Sequence, residues 1–333
     1  MITSGILSRL PDDESTRSWL RHIESIDSIS PAIRMPGPDE INDVLIDLAV
    51  PHEDIGAIIQ HMPTPDRDPD AWWLIERAAA SIHACMGEID GPPPMPALPS
   101  DEPLSRYFYV YVFLALKPLV DDWFRQHGVP ADIGRRSLAD LGRNMAVHRK
   151  RHGTGGFNLQ NWIQLHFRGA IYQLGRLQFQ RARLGGTTGN AITAAGHPFG
   201  SGDFVLNVHI TDFSGPLRPD LCDASFDLAR EFFPRHFPEE PYHLAMCHSW
   251  LLDPRLADYL PEGSNIIRFQ RRFTLVKRDQ EPSDDGAFLF VFGQRATGAD
   301  IDSLPRNTTI QRALIDHVKA GKHWYGGSGW LLL

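Results

Sequence analysis

The sequence predicts an α+β protein in two parts, a helical N-terminal domain followed by a mixed α/β domain built on a central sheet. Three observations carry this. Apolar residues recur at helical spacing through the first half. Short β-branched and aromatic runs alternate with helical ones after about residue 170. Between the two textures, Gly153, Gly155 and Gly156 break the pattern. The expected domains are 1–155 and 156–333, and a chain of 333 residues is long enough for two cores.

Asp12 or Ser15 suits the cap of a helix running to Ile26, with Trp19, Leu20, Ile23 and Ile26 as its apolar stripe. Residues 39–49 and 52–61 predict two shorter helices, and 69–87 a longer one. The prolines of 91–103 demand a loop. Helices are then expected over 104–127 and 133–151, the second ending in the basic run His148 to His152, which suits the negative end of a helix dipole. A further helix over 158–167 straddles the boundary.

Strands are expected at 171–184, 204–210, 243–252, 273–277 and 287–292. Between them lie an amphipathic helix from Pro219 to Phe233 and a short one over 264–270. Thr308 or Thr309 caps another helix, which Gly321 closes. The ending from His323 to Trp330 has two readings: it folds over an acceptor, or it seals the sheet.

The charge of -8 lacks the basic footprint that nucleic acid requires. The most apolar run, Tyr107 to Leu116, falls far short of the roughly 20 residues that span a bilayer, so no membrane association is expected. Residues 1–16 lack the pattern of a signal peptide. Three cysteines without a CxxC indicate neither a disulfide framework nor a zinc knuckle, and a reducing cytoplasm is the simplest location. Although the chain has 15 histidines, it has no HExxH, and His148 and His152 flank Arg149, Lys150 and Arg151, which repel a cation. No metal is expected. The full GxSxG pattern of a serine hydrolase is also missing from Gly200-Ser201-Gly202 and Gly327-Ser328-Gly329.

The most telling stretch is the expected strand 204–210 feeding Thr211-Asp212-Phe213-Ser214-Gly215-Pro216-Leu217, which opens the helix at Pro219. A glycine-containing loop entering a helix leaves amide protons aimed outward, a setting suited to a diphosphate. Many strand-to-helix turns contain these residues without binding phosphate.

The order strand, loop, helix, strand, short helix, strand, strand resembles that of the GNAT acyltransferases. Several stretches are similar to a narrower bacterial family, with a helical N-terminal domain and a GNAT-like C-terminal domain. They are Tyr172-Gln173-Leu174-Gly175-Arg176-Leu177-Gln178-Phe179, Val208-His209-Ile210, Ser249-Trp250-Leu251-Leu252-Asp253-Pro254, Ser264-Asn265-Ile266-Ile267-Arg268-Phe269-Gln270, and Leu304-Pro305 leading into Thr308–Arg312. Within that family the chain resembles the glycopeptide-antibiotic enzymes of the teicoplanin type, which place a fatty acyl chain on a glucosamine amine. The resemblance implies a splayed central sheet that takes acyl-CoA, an amine-bearing glycosylated heptapeptide as acceptor, and N-acyl transfer. A short-chain acetyltransferase, and a protein that binds CoA or a glycan without turnover, are the alternatives. The usual GNAT phosphate signature, Q/RxxGxG/A, is absent: Asp212-Phe213-Ser214-Gly215-Pro216 stands in its place.

On this resemblance Val208, Ile210, Thr211, Phe213, Ser214, Gly215 and Leu217, with Ser264 and Asn265 at the short helix, are the donor-binding candidates. An amide near Ile210 would hold the oxyanion. Amide formation also needs an unprotonated amine, and histidine is the side chain matched to that task. Alternation puts Val205, Asn207 and His209 on one face, so His209 is the first candidate base or proton relay; a hydrogen-bonded structural histidine is the alternative. His197, between glycines in a loop, and His248 on the next expected strand are the other candidates. Trp162, Trp250 and Phe269 are candidate substrate-binding walls, with Phe167 and Phe213 beside them, although aromatic residues at such spacings commonly form plain core. Asp253 is expected to cap a helix, and the same role competes for Ser264 and Asn265.

Overall fold

The computed structural model describes residues 5–26, 33–99, 101–298 and 300–333; the first four residues of the N-terminal stretch read above lie outside it. The chain divides into two compact units, Met1–Tyr172 and Gln173–Leu333. This division falls later than the glycine-rich break at 153–156 that the sequence suggests, because one more helix completes the first unit.

Unit one is helical: α1 (Glu14–Glu24), α2 (Ile41–Asp47), α3 (His52–Gln60), α4 (Pro69–Ala84), α5 (Pro103–Gln126), α6 (Ala131–Leu138), α7 (Asp140–His152) and α8 (Gln160–Phe167). Asp13, rather than the expected Asp12 or Ser15, caps α1 by accepting from the Thr16 amide at 2.7 Å. The apolar run 107–116 is the buried middle of α5. The single helix expected over 133–151 is two, which meet at Ala139. The reason lies in Gly142. Its first-turn amide donates to the Leu48 carbonyl at 3.0 Å, and a Cβ there would lie 2.1 Å from the Ala49 backbone, so a new helix start is satisfied by close backbone approach. No helix among the described residues is long and apolar enough to cross a membrane.

Unit two carries a six-stranded sheet in the order β1-β2-β3-β4-β6-β5, its first strand beginning at the division. The strands are β1 (Ile171–Leu174), β2 (Leu177–Arg183), β3 (Phe204–His209), β4 (Leu244–Ser249), β5 (Thr274–Pro282) and β6 (Tyr325–Leu332). Only β3 and β4 run parallel; the other recorded pairs are antiparallel. The long strand expected at 171–184 is therefore a hairpin, turning at Gly175 with φ +68°. The helices are α9 (Gly186–Ala194), α10 (Pro219–His236), α11 (Asn265–Gln270), α12 (Asp284–Phe292) and α13 (Thr309–Lys319). The segment expected as 243–252 leaves the sheet at Trp250 in a 3-10 turn.

One reading is corrected here, and one open alternative is resolved. Residues 287–292, expected as a strand, lie in α12, since Asp284 and Asp285 favour its first turn and Gly293 closes it. An apolar run this short does not distinguish strand from helix by periodicity. The missing strand is β6, the C-terminal ending, which inserts between β4 and β5 and so seals the sheet.

The sheet has two covered faces. On one, Phe179 of β2 meets Phe226 and Phe233 of α10 at ring separations of 5.5 and 6.5 Å. On the other, Ala182, Val205, Leu244 and Trp330 form a core with Leu184 and Ile192.

Candidate functional site

β3 and β4 pair only at Leu206↔Ala245 and Asn207↔Met246. Beyond that, each strand keeps its outer neighbour instead. His209 stays in register with Gln178 of β2, while Cys247, His248 and Ser249 stay in register with Gly329, Ser328 and Gly327 of β6. The two middle strands thus part at their C-terminal ends, the end at which open α/β sheets bind ligands.

A cavity of about 480 Å³ lies at that end, within the range typical of ligand pockets, about 300–1,000 Å³. The 210–217 loop contributes Ile210, Thr211, Asp212, Gly215, Pro216 and Leu217. Trp250, Leu251 and Leu260 give it an apolar wall, with Phe290 and Val291 of α12 and the start of α13 nearby. Ser264, Asn265 and Ile266 at the head of α11, and Arg176 from the β1–β2 turn, complete it.

Of the residues predicted for donor binding, Ile210, Thr211, Gly215, Leu217, Ser264 and Asn265 line this cavity, and so does Trp250. Ser264 also caps α11, accepting from the Ile267 amide at 3.4 Å. Three others stand apart from the lining. Val208 is buried on the α10 face, paired with Phe179. Phe213 is half-buried in the loop, and Ser214 shares a hydrogen bond of 2.6 Å with the Thr211 hydroxyl. Phe269 is core, its ring 5.2 Å from that of Phe273. Trp162 belongs to unit one, where its indole N–H donates to Asp140 at 2.8 Å.

The predicted histidines follow a different logic. Strand alternation and the β3–β4 register put Asn207, His209, Met246 and His248 on one face, the face turned away from α10. His209 is half-buried, its Nε2 2.8 Å from Gln180 Oε1. Across the gap, His248 is exposed, with Nδ1 2.9 Å from the Ser328 hydroxyl and Nε2 3.4 Å from Asp279. His197 sits between α9 and β3 with its ring against Trp330, 4.8 Å between centroids. Asp253 caps a 3-10 turn; burial raises its pKa, but the Arg255 guanidinium and the Tyr325 and Arg255 amides that donate to it outweigh that and hold its carboxyl below its usual range.

The gap also borders Cys247, whose thiol burial pushes up to about 12. A thiol with that pKa supplies no thiolate near neutrality. Among the described residues, no cluster of three or more histidine, cysteine or acidic side chains could hold a metal ion.

Sequence reasoning did not find Arg176, Asp212, Pro216, Leu251, Leu260, Ile266, Phe290, Val291 or the start of α13 as lining residues. Arg176, Leu251, Ile266, Thr308, Thr309 and Ile310 stood inside the family-like stretches, a signal that marks a residue without saying what it faces.

Two family profiles match the chain, an N-acyltransferase N-terminal domain over residues 39–169 and a GNAT-like C-terminal domain over residues 171–331. Among solved structures, an acyltransferase in complex with decanoyl-CoA is 37% identical, with 96% of each chain covered and a TM-score of 0.86. An acyltransferase in complex with CoA and 10C-teicoplanin is 38% identical at the same coverage, with a TM-score of 0.85. Another, in complex with decanoyl-CoA and teicoplanin, is 38% identical, also at 96% coverage, with a TM-score of 0.84. A comparison with curated proteins gives no match.

Proposed function

Because the chain belongs to the family of N-acyltransferases that joins this N-terminal domain to a GNAT-like C-terminal domain, we propose that it moves a medium or long fatty acyl group from acyl-CoA to the amine of an amino sugar on a glycopeptide. The observation that carries the reading is the opening between β3 and β4, with an apolar cavity at its end and two histidines on the far face. Relatives of matching length bind decanoyl-CoA and teicoplanin, which sets the chemical class of donor and acceptor.

In this mechanism the donor enters from the cavity and its thioester lies in the gap. The acceptor amine approaches from the face of His209 and His248. The amine nitrogen attacks the thioester carbon, the carbon–sulfur bond breaks, and the departing thiolate takes up a proton. Backbone N–H groups that β3 does not spend on β4, near Ile210, hold the developing oxyanion. His209, fixed by Gln180, removes the amine proton. His248 and His197 border the acceptor. Burial raises the pKa of Cys247 and Cys222, which disfavours an acyl-cysteine and supports direct transfer. The free cysteines fit a reducing cytoplasm.

Mass spectrometry of the protein with acyl-CoAs of two to twelve carbons and an amino-sugar glycopeptide tests this. Each methylene buried in an apolar channel adds about 0.8 kcal/mol, roughly a fourfold preference. We expect one acyl group on the sugar amine, free CoA thiol in equal amount, and a preference that rises with chain length. Transfer confined to acetyl would remove the lipid channel, and tight CoA binding without turnover would make the protein a binder.

A further inference from the structure

We propose that Arg176 is the residue that holds the donor's phosphates, supplying the positive charge that the 211–217 loop lacks and that Asp220 cancels at the start of α10. The proposal rests on acyl-CoA as donor and adds the group that recognises its diphosphate.

The start of α10 is a poor anion site by itself. Pro219 occupies its first position and has no amide proton. Asp220, in the first turn, sets a carboxylate where an anion would come, balanced by Arg218 at 2.7 Å. The loop before it has Gly215 at φ +76° and no lysine or arginine between Thr211 and Leu217.

Arg176 fills that lack from another part of the chain. Its position follows from the tight β1–β2 turn. Gly175 takes a left-handed φ, and Ser225 of α10 accepts from the Arg176 amide at 2.8 Å and the Leu177 amide at 3.3 Å. The turn is thereby fastened to the helix that follows the loop. The side chain passes beneath the loop, Nε donating to the Pro216 carbonyl at 3.3 Å, and reaches the cavity wall. It is 6% exposed, and Nη1 finds no hydrogen-bond partner among the described residues. Burial weighs against its charge, and the Asp212 carboxylate, exposed at the rim, offsets that only in part, while burial raises the pKa of the Cys222 thiol.

A guanidinium stays charged under such conditions, and a buried charge without a partner is costly. A protein accepts that cost where a ligand supplies the counter-charge. Guanidinium and phosphate match in geometry as well as charge. A diphosphate resting on the loop amides would complete both groups, whereas the uncharged pantetheine arm would not.

Steady-state kinetics of the full chain with decanoyl-CoA and with S-decanoyl-pantetheine, which carries no phosphate, separates charge recognition from a structural role. Arg176→Met should raise KM for decanoyl-CoA roughly 10- to 100-fold, the range of a charge-assisted hydrogen bond. With the pantetheine thioester it should change KM by less than about twofold. Arg176→Lys should restore much of the loss on decanoyl-CoA alone. Equal losses on both donors, or none on either, would overturn the assignment. Should Arg176→Met fail to fold, Arg176→Lys must still show a KM defect confined to decanoyl-CoA. If the parent turns over neither donor, the acyltransferase reading fails on its own. Calorimetry then still decides the role of Arg176, since the variant must weaken CoA and leave pantetheine unchanged.

Discussion

Replacing Gln180 by leucine tests the proton-transfer role of His209 without touching the histidine. Gln180 Oε1 lies 2.8 Å from His209 Nε2. An amide oxygen can only accept, so this contact places the ring proton on Nε2 and makes Nδ1 the basic nitrogen. A neutral hydrogen bond contributes about 0.5–1.5 kcal/mol net, so Gln180→Leu should lower kcat/KM by roughly 2- to 13-fold. Removing a general base is far more costly: His209→Ala should lose about 10²- to 10⁴-fold, mainly in kcat. Because Gln180 acts only through His209, the double variant should be no worse than His209→Ala alone. Release of CoA thiol under saturating donor, with the acylated product confirmed by mass, gives all three numbers. The reasoning is refuted if His209→Ala stays within threefold of the parent. Collapse of His248→Ala in the same series would move the base across the gap, to the ring held by Ser328 and Asp279.

Three further outcomes are expected. Gly175→Ala should destabilise by about 1–3 kcal/mol, from its left-handed φ and a Cβ only 2.9 Å from Ser225 Oγ; an unchanged melting temperature would show that the turn is not tight. Cys247→Ala should keep kcat within about twofold and show no acyl adduct in the parent, since burial holds the thiol at about 12; a dead variant that still folds would indicate a covalent intermediate. His166 is fully buried, and desolvation lowers its pKa more than nearby Asp140 raises it. Between the folded and unfolded values the unfolded chain binds more protons, so this contribution is complete above about pH 6.5. It is lost as pH falls from there through the lowered folded value. Thermal melts between pH 8 and 5 should show this acid-side loss, and His166→Phe should flatten it; equal slopes in the two proteins would show that His166 titrates alike in the folded and unfolded chain.

What the sequence made legible was whatever depends on neighbours along the chain. Ser264 and Thr308 cap helices where capping chemistry places them, Thr308 in a reciprocal box with Gln311, whereas the cap of α1 is Asp13, which lies between the expected Asp12 and Ser15. The strand–loop–helix at 204–236 was equally local, since a strand's alternation and a helix's stripe both appear within a dozen residues. What failed was ambiguous or non-local. Gly186–Ala194 forms α9 although two glycines and three threonines give it little intrinsic preference for helix. β6 hides its pairing behind three glycines, which weaken a strand's signature, and its neighbours lie some 50 and 80 positions earlier in the chain. Arg176 could be noticed in its motif, but its burial beneath the loop exists only once Ser225 has fastened the turn.

The same distinction explains how the gap between β3 and β4 persists. Two adjacent strands with unspent backbone groups would ordinarily close, because an unpaired buried amide or carbonyl is costly. Here each strand end follows its outer neighbour: His209 stays in register with Gln178, and Cys247, His248 and Ser249 stay in register with β6. The outer ladders hold the strand ends apart, and the inner edges keep donors and acceptors for a ligand. That makes the late-sequence β6 as necessary to the site as the loop at 211–217, although it lines no part of the cavity. Stability and chemistry are thus divided between the two edges of each strand, the outer edge paying with its hydrogen bonds for what the inner edge leaves open.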